Sequence, residues 1–208
     1  MIEKQNKELQ KIIKSIVAIA QKKSSKNDVT SLVNFIESFF GDAALEYLAS
    51  KTPENLYECA KDSFSFFQNK STNKSASVRV FNPTWENERT VLQILTTDIP
   101  FLIDSTTAEI NRLGYKIYEI LHPVIKTERD NKGKLDRIYI GAEGKSKGNS
   151  DSIIQFEFSY IQSDRDREEL RENISMVLEA VSLAVRDWKK MLSEVDTNIK
   201  NLENKKLP

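Results

Sequence analysis

The first seventy residues place apolar side chains at three- and four-residue steps, which is the spacing of one helix face. Three helices are predicted: the first carries Leu9, Ile12, Ile13, Ile16, Val17 and Ala20, the second Leu32, Ile36, Phe39 and Phe40, and the third Leu56, Ala60, Phe64 and Phe67. The second helix should end at Gly41, because glycine tolerates the left-handed turn that follows many helices. The third should begin at Pro53 with Thr52 as its cap, since proline lacks the N–H that a first turn leaves unpaired.

The periodicity changes after residues 69–77, a small and polar stretch that is typical of a linker. Alternating residues predict short strands at 78–81, 90–95, 135–140 and 152–161, and a longer strand that begins at Tyr115 and runs through Ile125. A helix that carries Leu102, Ile103, Thr106, Ile110 and Leu113 is predicted before Gly114. The last helix keeps its spacing over about six turns; its apolar residues are Leu170, Ile174, Val177, Leu178, Val181, Ala184, Val185, Trp188 and Leu192.

The order of these elements predicts an α+β fold. A helical N-terminal segment precedes a mostly antiparallel, ferredoxin-like sheet, with two helices on one face; the second of them is the long C-terminal helix. The pattern lacks the usual final strand after that helix. The strand at 78–81 is expected to take its place, because an open sheet edge invites aggregation.

Composition narrows the class of protein. The 208 residues include 31 basic and 31 acidic ones, so no long-range field attracts nucleic acid. No apolar run approaches the roughly 20 residues of a membrane helix, and the N-terminus lacks the pattern of a secretory signal. Cys59 is the only cysteine, which excludes an internal disulfide and fits a reducing compartment. A soluble, cytoplasmic protein without membrane or nucleic-acid partners is expected.

Groups for catalysis or metal binding are few. His122 is the only histidine, which excludes a multi-histidine metal site, and nothing marks a catalytic pair with Cys59. Residues 144–146, Gly-Lys-Ser, resemble the end of a phosphate-binding loop, but Tyr139 stands where the motif requires glycine. The sequence therefore predicts no catalytic, metal-binding or cofactor-binding residue on this chain.

The stretch TTDIPFLIDS, residues 96–105, contains two carboxylates within a largely apolar run. Asp98 and Asp104 could form an acid–base pair. A structural role is favoured, because Asp98 is well placed to cap a helix. On that interpretation the stretch is a strand-to-helix turn in which Pro100 begins the helix and residues 101–103 pack inward.

Four motifs follow one another between residues 98 and 133: a D-x-P-F-L-[VI]-D-S loop, a helix end N-R-x-G, a strand end H-P-V and a charged turn R-D-x-x-G. They are formed here by Asp98, Pro100, Phe101, Leu102, Ile103, Asp104, Ser105, Asn111, Arg112, Gly114, His122, Pro123, Val124, Arg129, Asp130 and Gly133. In this order and spacing they closely resemble the N-terminal region of the large bacterial NAD-specific glutamate dehydrogenases. The resemblance is strong from 78 to 160 and weaker on either side.

That resemblance implies an ACT-like module behind a helical lead-in. ACT modules commonly bind a regulatory amino acid near the loop between the first strand and the first helix, where helix N–H groups favour a carboxylate. The expected ligand loop consists of Asp98, Pro100, Phe101, Asp104 and Ser105. Ligand-binding members usually have glycine at the position of Phe101, whose side chain would occupy room that a ligand needs.

The implied function is a non-catalytic regulatory or assembly domain of an NAD-dependent glutamate dehydrogenase, an enzyme that converts L-glutamate to 2-oxoglutarate. NAD would bind elsewhere in that enzyme, because no G-x-G-x-x-G turn occurs here. The expected partners are the remainder of the dehydrogenase polypeptide, further copies in a homo-oligomer and a small amino acid effector. A free-standing amino-acid sensor and a purely structural oligomerisation module are the alternatives.

Four segments are predicted along the chain. They are a helical lead-in at 1–70, a linker at 71–77, an ACT-like sandwich at 78–192 and a helix extension or tail at 193–208. The amphipathic stretch from Met191 to Leu202 could bind a membrane or a partner helix. Its interleaved acidic residues favour a solvated helix end.

Overall fold

The computed structural model describes residues 2–23, 29–141 and 148–204, and these form six helices and six strands. The helices are α1 (Ile2–Lys23), α2 (Val29–Phe40), α3 (Leu45–Ala49), α4 (Pro53–Phe67), α5 (Leu102–Arg112) and α6 (Asp164–Asn204). The strands are β1 (Ala76–Phe81), β2 (Arg89–Thr97), β3 (Ile117–Leu121), β4 (Val124–Arg129), β5 (Leu135–Tyr139) and β6 (Asn149–Ser159). The predicted α+β class is confirmed. The Gly-Lys-Ser segment at 144–146 lies outside the described residues.

The strands form one antiparallel sheet in the order β1-β2-β6-β4-β5, with β3 paired to β6 beside β4. β1 pairs with β2 from Ala76 opposite Thr96 to Phe81 opposite Val91. The strand predicted at 78–81 therefore does occupy the edge position that a final strand would take, and it begins two residues earlier than predicted. This pairing removes the open edge of β2.

β6 lies in the middle of the sheet and sends its side chains alternately to the two faces. Ile154, Phe156 and Phe158 pack with residues of α5 and α6 on one face. On the other face Ile153 belongs to a core that includes side chains of α1, α2, α3 and α4. Two helices on one face were predicted correctly. The sequence did not predict that the helical lead-in covers the opposite face, which gives the sheet a helical layer on each side.

Polar contacts accompany the apolar packing between the lead-in and β6. At one end, Glu157 accepts a hydrogen bond from Tyr47 Oη at 2.5 Å and lies 3.2 Å from Lys51 Nζ. In the middle, Gln93 Nε2 donates to Gln155 Oε1 at 2.6 Å and to Ser63 Oγ at 2.7 Å. These buried groups are satisfied by one another, so they fix the position of the helices without leaving unpaired charge.

At the other end of β6, Asp151 is buried and anchors three donors. Lys70 Nζ lies 2.7 Å from one carboxylate oxygen, while Thr127 Oγ1 and Arg129 Nε donate to the other at 2.5 and 2.6 Å. Arg129 also donates to the main-chain oxygen of Phe67 at 2.8 Å, at the end of α4. This cluster joins the last lead-in helix, the following linker and the sheet.

Two local predictions need correction. Gly41 does follow α2, but it is not in the left-handed region; glycine is needed because an added Cβ would lie 2.8 Å from the carbonyl oxygen of Glu37. The long strand predicted from Tyr115 is divided into β3 and β4 at His122 and Pro123. Proline interrupts the strand because it has no N–H to donate to the ladder. The predicted start of α4 is correct, with Thr52 Oγ1 accepting from Asn55 N at 3.2 Å.

α6 extends far beyond the sheet. Its 41 residues correspond to about 60 Å of helix. The first half packs on β1 and α5, whereas every side chain described between 190 and 200 is exposed. Among the described helices, none is both long enough and apolar enough to cross a membrane.

Candidate functional site

The turn between β2 and α5 holds the loop that the sequence singled out. β2 ends at Thr97, and Asp98 N then donates to Ser150 O at 3.1 Å, which fixes the start of the turn to β6. α5 begins at Leu102. The prediction that Pro100 begins the helix is therefore wrong, as is the prediction that Asp98 caps it, because the main chain at Asp98 is still attached to the sheet.

Phe101 occupies the cap position of α5 in an unusual conformation. Its φ of 69° and ψ of 6° lie in the left-handed region, and it provides no side-chain cap. This region costs a non-glycine residue about 1–2 kcal/mol. Phe101 is 62% exposed, so the prediction that it packs inward is also wrong. Leu102, in contrast, is buried in the core between α5 and the sheet.

A cavity of about 380 Å³ lies on this turn. Its lining consists of Asp98, Ile99, Pro100, Phe101, Leu102, Ile103, Asp104 and His122. Four of the five predicted loop residues belong to this lining. The fifth, Ser105, instead donates its main-chain N–H to Phe101 O at 3.1 Å and closes the first turn of α5.

His122 was not predicted as a member of the site, because it is separated from the loop by α5 and β3. The H-P-V motif shared with the resembled family is the only sequence signal that could have suggested it. Its Nε2 lies 2.8 Å from Ser152 Oγ and 3.9 Å from Asp98 Oδ1. Burial lowers the pKa of His122 below its usual 6.5, and the nearby Asp98 carboxylate opposes that shift only in part. The ring is therefore neutral at pH 7.

These groups are suited to binding a small zwitterion. The first N–H groups of α5 lack acceptors within the helix, and together with the helix dipole they favour a carboxylate. Asp98 and Asp104 supply carboxylates for an ammonium group, and the neutral His122 adds no competing positive charge. The apolar side chains of Ile99 and Phe101 remain available to contact the rest of a ligand.

His122 also lines a second cavity, of about 350 Å³. It is lined by Phe39, Asp42, Ala43, Ala44, Glu119, Ile120, Leu121, His122 and Pro123. Burial raises the pKa of Glu119 here. His122 and the β3–β4 break therefore connect the loop cavity to the segment between α2 and α3 of the lead-in.

The other groups considered from the sequence lie elsewhere. Cys59 is buried under the sheet, where Gln155 Nε2 approaches its Sγ at 3.5 Å. Burial raises the pKa of this thiol to about 12, so it stays protonated and unreactive near neutral pH. Within the ranges 2–23, 29–141 and 148–204, no group of three or more His, Cys, Asp or Glu side chains is placed to hold a metal ion.

Comparison with known proteins identifies relatives for most of the chain. Residues 35–174 match the family described as "Glutamate dehydrogenase, ACT1 domain". The NAD-specific glutamate dehydrogenase of Halomonas elongata is 27% identical over 197 residues, which cover 92% of this chain and 12% of that protein. The NAD-specific glutamate dehydrogenase of Pseudomonas aeruginosa is 29% identical over 168 residues, covering 76% of this chain and 10% of that protein. The chain thus spans about a tenth of the length of these relatives, and no solved structure matches it significantly.

Proposed function

The chain belongs to the family of the glutamate dehydrogenase ACT1 domain, and we propose that it acts as the N-terminal regulatory domain of an NAD-specific glutamate dehydrogenase. The main support for this proposal is the family match, which covers residues 35–174 and so includes the sheet, the loop cavity and part of the lead-in. The match to two NAD-specific dehydrogenases over most of the chain supports the same role. The complete enzyme would convert L-glutamate to 2-oxoglutarate with NAD bound outside this domain.

The regulatory ligand that suits the loop cavity is an α-amino acid. Its carboxylate would face the N–H groups at the start of α5, and its ammonium group would face Asp98. The cavity volume falls near the lower end of the range for small-molecule sites. An effector of this kind would act on the rest of the enzyme through His122 and the β3–β4 break, which lie between the cavity and the lead-in.

Thermal unfolding of the purified chain with each common L-amino acid tests this proposal. A ligand present at 100 times its dissociation constant stabilises the folded state by about 2.7 kcal/mol. For a chain of this size that corresponds to a rise in the unfolding midpoint of about 5–10 °C. We expect one amino acid to produce such a rise and its 2-oxo acid, which lacks the ammonium group, to produce much less.

Two variants connect the effect to the cavity. Asp98→Asn should abolish the ligand-induced rise, whereas Asp136→Asn, an equivalent change of an exposed carboxylate on β5, should leave it intact. A rise that survives in Asp98→Asn would place the ligand elsewhere. If no amino acid changes the midpoint, the domain is a structural part of its enzyme and the regulatory proposal fails. Reduction of NAD by the isolated chain with glutamate would overturn its non-catalytic role.

A further inference from the structure

The second half of α6 carries a row of exposed apolar side chains. Trp188, Leu192, Val195 and Ile199 are between 48% and 59% exposed. They lie beyond the last residues of α6 that pack on the sheet, among which Val181 is buried and Val185 is partly buried. Single large apolar side chains are common on protein surfaces. A continuous row of four, in contrast, indicates a surface that contacts another element.

The spacing of this row is that of a coiled coil. Steps of four, three and four residues separate Trp188, Leu192, Val195 and Ile199. The same alternation runs without interruption through the preceding packed residues, Ile174, Leu178, Val181 and Val185. A repeat of seven residues keeps one narrow line of side chains directed at a partner helix, whereas packing on a globular surface uses a broader face.

We propose that residues 188–199 of α6 pair with the same segment of a second copy of this chain, with the two helices antiparallel. The direction follows from the fold. Up to Val185 this side of α6 is occupied by its own sheet, so a parallel partner helix would run into that sheet. An antiparallel partner centred on this segment overlaps α6 only from about Leu183 onward, which is mainly the protruding half, and leaves the two folded bodies at opposite ends.

The available surface and charge agree with a helix pair. Five half-exposed apolar side chains, Met191 included, present of the order of 100 Å² each. Complete burial of these side chains in two copies would remove about 1,000 Å² from solvent, which is the lower limit of a specific interface. Within residues 188–199, Lys189 and Lys190 balance Glu194 and Asp196, so the segment carries no net charge that would make two copies repel each other. This pairing is independent of the proposed regulatory site, and either one can fail without the other.

Sedimentation equilibrium of the 23.9 kDa chain over a wide range of protein concentration measures this association directly. We expect a reversible monomer–dimer equilibrium. Leu192→Lys should weaken it at least tenfold. The matched control is Leu183→Lys, because Leu183 is also half exposed on α6 but lies off the row, and this change should leave the equilibrium unaltered. Circular dichroism of both variants verifies that the fold is intact.

Disulfide cross-linking tests the direction of pairing. In the antiparallel arrangement Leu192 of one copy faces Val195 of the other. A mixture of Leu192→Cys and Val195→Cys chains should therefore form mixed disulfides on oxidation, and the buried Cys59 should not participate. Disulfides between identical variants would indicate parallel helices and overturn the proposed geometry. A chain that stays monomeric, or a dimer that Leu192→Lys does not weaken, would overturn the interface itself.

Discussion

The Asp151 cluster should carry a large share of the stability that joins the helical lead-in to the sheet. Asp151→Asn keeps the shape of the side chain but removes the charge that faces Arg129 and Lys70. Their side chains are only 8% and 18% exposed, so water replaces the lost partner poorly. In Asp151→Asn the amide NH₂ group must also take the place of one carboxylate oxygen. It would then face either Lys70 or the pair Thr127 and Arg129, which are donors themselves.

The magnitude follows from the cost of breaking a buried ion pair, which is about 3–5 kcal/mol. The amide oxygen of asparagine can still accept a hydrogen bond. We therefore expect the free energy of unfolding to fall by about 3 kcal/mol, the lower end of this range. Folded domains are stable by only about 5–15 kcal/mol, so this loss is readily measured. In a chain of this size it corresponds to a decrease in the thermal midpoint of about 10 °C.

Urea denaturation followed by circular dichroism gives the free energy of unfolding, with the exposed Asp136→Asn variant as the control. The hydrogen bonds from Lys70, Thr127 and Arg129 outweigh the opposing effect of burial and lower the pKa of Asp151 below its ordinary 3.8. Its contribution is therefore complete above pH 3.8 and disappears as the pH falls through the lower, folded-state pKa. The difference between wild type and Asp151→Asn should shrink in that acidic range. A difference below 1 kcal/mol at pH 7 would show that the Asp151 charge contributes little to the attachment of the lead-in.

Three further predictions concern the cavity and the other end of β6. Phe101→Gly should be more stable than Phe101→Ala by about 1 kcal/mol in urea denaturation, because glycine tolerates the left-handed conformation; the opposite order would mean that Phe101 is not held there. The depressed pKa of His122 means that the unfolded chain binds more protons below pH 6.5, so the wild-type thermal midpoint should fall as the pH decreases from 6.5. His122→Gln should reduce this dependence, and an unchanged pH profile would contradict a lowered pKa of the partly exposed His122 ring. Tyr47→Phe should lower the free energy of unfolding by about 1–3 kcal/mol, since Glu157 would lose a buried donor; a neutral result would show that water replaces the phenol.

The sequence predicted the sheet well because its strands alternate polar and apolar side chains, as β6 does where Gln155 and Glu157 alternate with Phe156 and Phe158. The edge position of β1 followed from the missing final strand. The packing of the lead-in on the second face was not predictable from periodicity, because a helix pattern says which side is apolar and not what covers it. Gln155 and Glu157 were the available signal, since these polar residues at alternate positions of β6 contact Ser63 and Tyr47 of the lead-in.

The candidate site was predicted only in part. The loop motif identified Asp98, Phe101 and Asp104, which do line one cavity. The conformation of the loop was wrong, because proline is favoured at the start of a helix but here the helix begins two residues later. His122 was missed as a neighbour of Asp98 because strand pairing, rather than sequence distance, brings the two together. Left-handed phenylalanine is rare enough that sequence statistics argue against it.

An NMR titration of the ¹⁵N-labelled chain with each common L-amino acid tests the central claim, that this ACT domain binds a regulatory amino acid in the loop cavity. We expect one amino acid to shift the amide signals of residues 98–104 and His122 in a saturable way and to leave β5 unaffected, and we expect these shifts to disappear in Asp98→Asn. Spectra that no amino acid changes, or shifts confined to another part of the fold, would contradict it.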